Sequence, residues 1–143
     1  IVIVDVNHIL STSENGKKII NELKILKEKN EKNYGLIESK LNKEKKEITR
    51  LKNILSENEY NQRVIDFNKN AEKYKLERLE IEKSFENYKK DKLNVFFDNL
   101  NDIMKEYMLK NNISFILEKK NILISKSTHD KTKDILKLLN SND

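Results

Sequence analysis

Residues able to do chemistry are few and poorly assembled. His8 lies three residues after Asp5, and His129 directly precedes Asp130. Either pair could offer an imidazole and a carboxylate to a metal ion, but a stable site needs about three or four ligands and each place supplies one His with one carboxylate. Ser11 and Ser13 stand near His8 as a nucleophile might stand near a base. Nothing is placed to orient the imidazole, so local loop polarity is the simpler account. Cys is absent, which removes thiol nucleophiles, zinc ribbons and disulfide frameworks. Gly occurs only at positions 16 and 35, so neither G-x-x-x-x-G-K nor G-x-G-x-x-G can form a phosphate-binding loop. The expectation is a non-enzyme with no catalytic residue, no metal and no cofactor.

Composition points the same way. The length of 143 residues suits one domain. Hydrophobic residues are 36% and charged residues 37% of the chain, against typical values of about 45–50% and about 25%. A chain this polar cannot fill one compact core of normal size, and an elongated helical protein is expected. The longest apolar run, Ile1-Val2-Ile3-Val4, is far too short to span a membrane. Lys, Asn and Ile together make 63 of the 143 residues. AT-rich coding sequence drifts towards these residues, so the pI of about 9.2 is discounted as a functional clue. The chain opens on Ile1 rather than Met, which fits a removed leader, although no signal peptide is visible.

The elements follow from pattern. Ile1-Val2-Ile3-Val4-Asp5-Val6 is β-branched except at Asp5 and reads as a buried strand. Ser11, Ser13, Glu14, Asn15 and Gly16 form a polar, turn-like break. Residues 17–111 contain no Pro and one Gly, and good helix formers dominate. A single helix of that length would run roughly 140 Å, so the chain is expected to fold back. Tyr34, Ile37, Leu41, Glu44, Ile48, Leu51 and Leu55 step by three and four, as do Tyr60, Val64, Phe67, Ala71, Tyr74, Arg78, Ile81, Phe85 and Tyr88. Glu44 and Arg78 are the two polar intrusions. Position numbers in the two series pair antiparallel at a constant sum of 115. This predicts a helical hairpin with its tip near 56–59. Phe67, Tyr74, Phe85 and Tyr88 lie on the seam and are read as core.

Beyond the second arm the apolar face widens through Val95, Phe96, Phe97, Leu100, Ile103, Met104, Tyr107 and Met108, as for a helix entering a larger core. Asn111-Asn112 ends it. Ser114-Phe115-Ile116-Leu117 and Ile122-Leu123-Ile124-Ser125 read as two strands joined by a hairpin turn at 118–121. Asp130 or Thr132 is placed to cap a last helix over 133–139. The fold class is mainly α with a small β part. Residues 1–16 and 112–143 form a strand-bearing body, and 17–111 form the hairpin. Three strands in about fifty residues bury too little surface to stand alone. The body is therefore expected to oligomerise through Ile1, Val2, Ile3, Val4, Val6, Phe115, Ile116, Leu117, Ile122, Leu123 and Ile124. Residues 17–52 carry 12 Lys+Arg against 6 Asp+Glu, so the whole surplus of positive charge lies on the ascending arm. Lys40, Lys43, Lys45, Lys46, Arg50 and Lys52 form a candidate basic limb for acidic partners or anionic lipid surfaces.

The two ends carry a resemblance. Ile3-Val4-Asp5-Val6 followed by Gly16-Lys17-Lys18 is similar to the opening of the Skp/OmpH family of periplasmic outer-membrane-protein chaperones. Asn112-Ile113-Ser114-Phe115-Ile116-Leu117, then Ile122-Leu123-Ile124, then Asp130-Lys131-Thr132 resembles the family's closing pattern. Lys119-Lys120-Asn121 departs from it where a Gly-containing turn is common, as does Ser125-Lys126 where an aromatic–small pair is usual. The resemblance implies a jellyfish-like homotrimer with helical tentacles around a cavity. It also implies a periplasmic holdase that keeps unfolded outer-membrane proteins from aggregating without ATP. Candidate client contacts are then the apolar residues off the seam: Ile25, Leu36, Ile54, Ile65, Leu76 and Leu79. Two other classes compete: a structural or adaptor coiled coil, and a weak nonspecific nucleic-acid binder. The strand-bearing ends argue against the first. Against the second stand the scarcity of Arg (three in the chain) and the lack of an aromatic–basic platform, so no specific nucleic acid is expected.

Overall fold

The computed structural model describes residues 1–142. In chain order it contains β1 (Val2–Val4), α1 (Val6–Thr12), α2 (Glu14–Leu51), α3 (Glu57–Lys110), β2 (Ile116–Glu118) and α4 (Thr132–Ser141), with two 3₁₀ turns between β2 and α4. The chain divides into two compact units, Ile1–Lys24 with Lys89–Asp143, and Ile25–Tyr88. That division falls at 24/25 and 88/89, rather than at 16/17 and 111/112, because the first turns of α2 and the last turns of α3 pack on the strand-bearing core.

In the strand-bearing unit, β1 pairs with β2 in parallel, Val2 opposite Ile116 and Val4 opposite Glu118. On its other edge Ile3 makes a single parallel bridge to Asp130, and Lys131 donates its N–H to the Ile3 carbonyl at 2.9 Å. All three β1 residues are buried. The core combines Val4 and Ile9, Ile19 from α2, Phe96, Leu100 and Ile103 from α3, and Ile135 and Leu139 from α4. The 96, 100, 103 spacing is the stripe that the widened apolar face of α3 predicts. Val95 lies off it and is exposed.

Several expectations are corrected. The first strand stops at Val4, and Val6 begins α1, a short helix capped by Asp5, whose carboxylate accepts the His8 N–H at 2.9 Å. The break before the long helix is one residue, Ser13. Its N–H ends α1 on the Ile9 carbonyl, and its hydroxyl accepts the Gly16 N–H. Residues 122–124 form no strand. A 3₁₀ turn at Lys119–Asn121 replaces the hairpin turn, so the chain leaves β2 without reversing beside it; Leu123 and Ile124 are 96% and 88% exposed. Residues 114–115 also lie outside β2. At the other end of α3, Asn112 adopts φ 51°, and the Ile113 N–H reaches back to the Met108 carbonyl. Asn tolerates this left-handed cap better than most residues.

Asp130 organises the start of α4. Its Oδ1 accepts both the Thr132 N–H at 3.0 Å and the Thr132 hydroxyl at 2.6 Å, while Oδ2 pairs with Lys119 at 2.9 Å. The Thr132 hydroxyl in turn accepts the Asp5 N–H, so one short network ties the end of β1 to α4. Hydrogen bonding from Thr132, then from Lys119, lowers the Asp130 pKa to about 2. A depressed carboxylate stabilises the fold above its unfolded value and loses that contribution as pH falls through its folded value. Asp130→Ala should therefore cost about 2 kcal/mol near neutral pH, and the gap to wild type should close between pH 4 and pH 2 in urea unfolding followed by circular dichroism. A second check concerns Gly16. A Cβ there would overlap the Leu10 carbonyl oxygen and crowd the Ser13 hydroxyl, and the nearest obstacle is backbone. Gly16→Ala should lower stability by about 1–3 kcal/mol despite alanine's better helix propensity.

Candidate functional site

In the unit Ile25–Tyr88, the end of α2 and the start of α3 run antiparallel. Glu38 is met by Tyr74 and Arg78 from α3, close to the mirrored register. Helix α2 ends at Leu51, residues 52–56 turn, and Ser56 starts α3 by accepting the Glu59 N–H at 3.2 Å. The tip is thus a few residues earlier than 56–59, since 57–59 are already helical. Tyr34 and Ile48 are buried, and most other seam residues are half-buried, including Glu44 and Arg78. Ile37, Ile81 and Tyr88 are the most open seam positions, at 37–39%.

The six apolar residues placed off the seam are all exposed, from 48% at Ile65 to 69% at Ile54. They are scattered rather than gathered in a pocket. A groove of about 300 Å³ does cross the two helices between Ile37–Leu41–Glu44 and Asn70–Tyr74–Glu77. Lys40, Glu44, Asn70, Lys73 and Glu77 supply most of its lining, which leaves little apolar volume to fill the seam there. Lys40, Lys43, Lys45, Lys46, Arg50 and Lys52 are exposed. Arg50 is paired with Glu47 at 2.6 Å, which raises the guanidinium's pKa and lowers the carboxyl's. Its charge is therefore partly compensated within α2, a cancellation at spacing i,i+3 that was readable from the sequence.

Around Arg78, one of the two polar intrusions in the seam, a polar cluster forms. Arg78 reaches Glu38 at 2.5 Å and Glu82 at 3.1 Å, and its guanidinium lies 4.6 Å from the centroid of the Tyr34 ring. The Tyr74 hydroxyl donates to the same Glu38 oxygen at 2.9 Å. Burial raises the phenol pKa of both Tyr34 and Tyr74. The mirrored register places Arg78 opposite Ile37, next in the chain to Glu38, so the ion pair had a sequence signal one residue away.

In the strand-bearing unit, Val2, Ile3 and Val4 are buried, and Val6, Ile116 and Ile122 half-buried. The other predicted body residues face outwards: Ile1 66%, Phe115 60%, Leu117 39%, with Leu123 and Ile124 more exposed still. Leu109, at the end of α3, is 84% exposed as well. A polar cavity of about 450 Å³ is lined by Asp5, His8, Lys119, Ser127, Asp130, Thr132 and Lys133. Both carboxylates are already engaged, by the α1 cap and by the Thr132–Lys119 network. His129 lies apart, with Nδ1 3.2 Å from the Ile1 carbonyl oxygen. Among the described residues no group of three or more His, Cys, Asp or Glu is assembled for a metal ion, and no helix is long and apolar enough to cross a membrane.

Comparison with known proteins places this architecture. No curated protein sequence matches the chain. Among solved structures, an OmpH-like protein of Caulobacter crescentus CB15, a candidate outer membrane chaperone, superposes with a TM-score of 0.89 at 15% identity. The match covers 99% of this chain and 84% of that one. At this identity the likeness concerns the fold. The family model for outer membrane protein (OmpH-like) matches residues 1–139, and the chain belongs to the OmpH-like family.

Proposed function

We propose that this protein is an ATP-independent holdase of the periplasm, working as a homotrimer that shelters unfolded outer-membrane proteins between its hairpins. Family membership supports a chaperone role. The observation that carries the holdase mechanism is the set of six separated, exposed apolar side chains on two long helices. Each side chain can gain at most about 1.5–3 kcal/mol by burial against a client. Several such contacts made together hold an unfolded chain, while none is strong enough to select one sequence. The basic limb adds attraction that speeds capture of acidic segments or anionic surfaces more than it prolongs binding. In this reading the strand-bearing unit is the oligomerisation body and the hairpin is the client arm.

Leu123 and Ile124 test the assembly. They are almost fully exposed in one chain, so Leu123→Asp with Ile124→Asp should leave the isolated fold intact. If they are covered by neighbouring copies, light scattering coupled to size exclusion should show a fall from near three times 17.0 kDa to a single chain. A wild-type protein that runs as a stable monomer removes the trimer.

The activity is tested by diluting a β-barrel membrane protein from urea into substoichiometric trimer without nucleotide. Wild type should suppress aggregation. Leu36→Ser, Leu76→Ser and Leu79→Ser combined should keep the oligomer and the helix content while weakening client retention by about tenfold or more. Unchanged aggregation with wild type at low and moderate salt leaves the structural coiled-coil reading in its place.

A further inference from the structure

In the unit Ile25–Tyr88, the weakest point of α2 lies at the same level as the ion cluster that crosses to α3. Gly35 is inside the helix, and an added Cβ would meet nothing within 4 Å. Its φ is not positive, so no close approach or special backbone conformation calls for glycine there. The physical consequence is a locally softer helix, by roughly two- to fivefold in the opening equilibrium relative to alanine. Tyr34 directly precedes it, and Glu38 follows within one turn. Every contact of the Arg78 cluster on α2 ends on these two residues: the Arg78–Glu38 pair, the guanidinium over the Tyr34 ring, and the Tyr74 hydroxyl on Glu38. Glu82 holds Arg78 in place from its own helix. The groove that runs to Glu44 begins at this layer, with Tyr74 in its lining, and Ile81 is an open seam position.

We propose that the Arg78 cluster is a latch across a bending point at Gly35. While the guanidinium holds Tyr34 and Glu38, the two residues flanking the glycine are fixed to α3 and α2 stays straight. When the latch opens, α2 bends at Gly35 and the course of the arm changes. The chemistry suits a reversible device. Side chains of the Arg78–Glu38 and Arg78–Glu82 pairs are 41–49% exposed, so their attraction is modest and screened by salt, and release strands no bare charge in a dry interior. A fully apolar layer would hold the helices together with little response to ionic strength. That bending alters the reach of an arm around its occupant rests on the chaperone reading; the latch itself does not.

Amide hydrogen exchange on the full-length protein, with no client present, tests the latch apart from any chaperone activity. Arg78→Gln should speed exchange of amides 33–39 by about tenfold and leave amides 60–70 within about twofold. Gly35→Ala in the Arg78→Gln background should slow 33–39 again by roughly two- to fivefold. Raising NaCl to about 0.5 M should speed the same window in wild type and leave Arg78→Gln unmoved. Arg78→Lys, which keeps the charge without the fork, should fall between the two. Acceleration spread evenly over residues 25–88, absent at 33–39, or unaffected by the alanine overturns the proposal.

Discussion

The parallel pairing of β1 with β2 is the constraint on which the rest of the strand-bearing unit depends. Parallel strands cannot be joined by a tight turn and need a crossover. Here the crossover comprises α1, both long helices and the turn at 52–56. Closing so long a loop costs entropy that grows only slowly with length, but three ladder residues alone could not offset it. The ladder holds because it is part of a core. Val4 packs in one core with Ile9, Ile19, Phe96, Leu100 and Ile103 from the crossover itself and with Ile135 and Leu139 from beyond it. The Asp130–Thr132–Asp5 network fixes the same place from the far edge of β1. Apolar burial thus supplies the free energy, and the polar network supplies the register.

Features set by local geometry were legible in the sequence, and features set by distant pairing were not. The three–four stepping of Tyr34 to Leu55 and of Tyr60 to Tyr88 is a property of one helix face, and most of those residues are less exposed than their neighbours. The mirrored numbering predicts a fold-back centred near 57–58, whereas the turn occupies 52–56, a few residues earlier. Ser56 sets the start of α3 by capping it, and an N-cap Ser followed by acidic Glu57 and Glu59 in the first turn is the sequence signal of that start. Ile122-Leu123-Ile124 has strand composition, yet a strand exists only where another backbone accepts its hydrogen bonds, and the 3₁₀ turn carries this segment off the sheet. Helix α1, with seven residues, is too short for periodicity to declare; its visible mark was Asp5 as a cap. Asp130 was recognisable as a helix-starting residue, whereas its partner Lys119 comes from a turn whose placement no local pattern fixes.

The candidate site divides along the same line. Exposure of Ile25, Leu36, Ile54, Ile65, Leu76 and Leu79 follows from their positions outside the heptad seam, and the structure places all six in solvent. What such side chains touch is decided by another molecule and is not written in the periodicity. Charge is similar. The surplus on residues 17–52 is a count, but Arg50 is partly compensated by Glu47, so a count of basic residues overstates the potential an incoming chain would meet.

Two kinds of exposed apolar surface are present, and their arrangement argues for different uses. In the strand-bearing unit, Leu123 and Ile124 are adjacent in the chain, and Phe115 and Leu117 alternate along one extended stretch. Apolar side chains exposed side by side are costlier to leave open than single ones, and in the proposed assembly this is the surface that neighbouring copies cover. In the hairpin, the exposed apolar residues stand singly among charged neighbours, and isolated exposures are tolerated in soluble proteins. A permanent partner on the first surface and transient, replaceable contacts on the second are what the proposed holdase requires. The same composition serves both ends. With charged residues at 37% of the chain, the arms of the proposed holdase would stay hydrated between clients, so that weak apolar contacts could form and release.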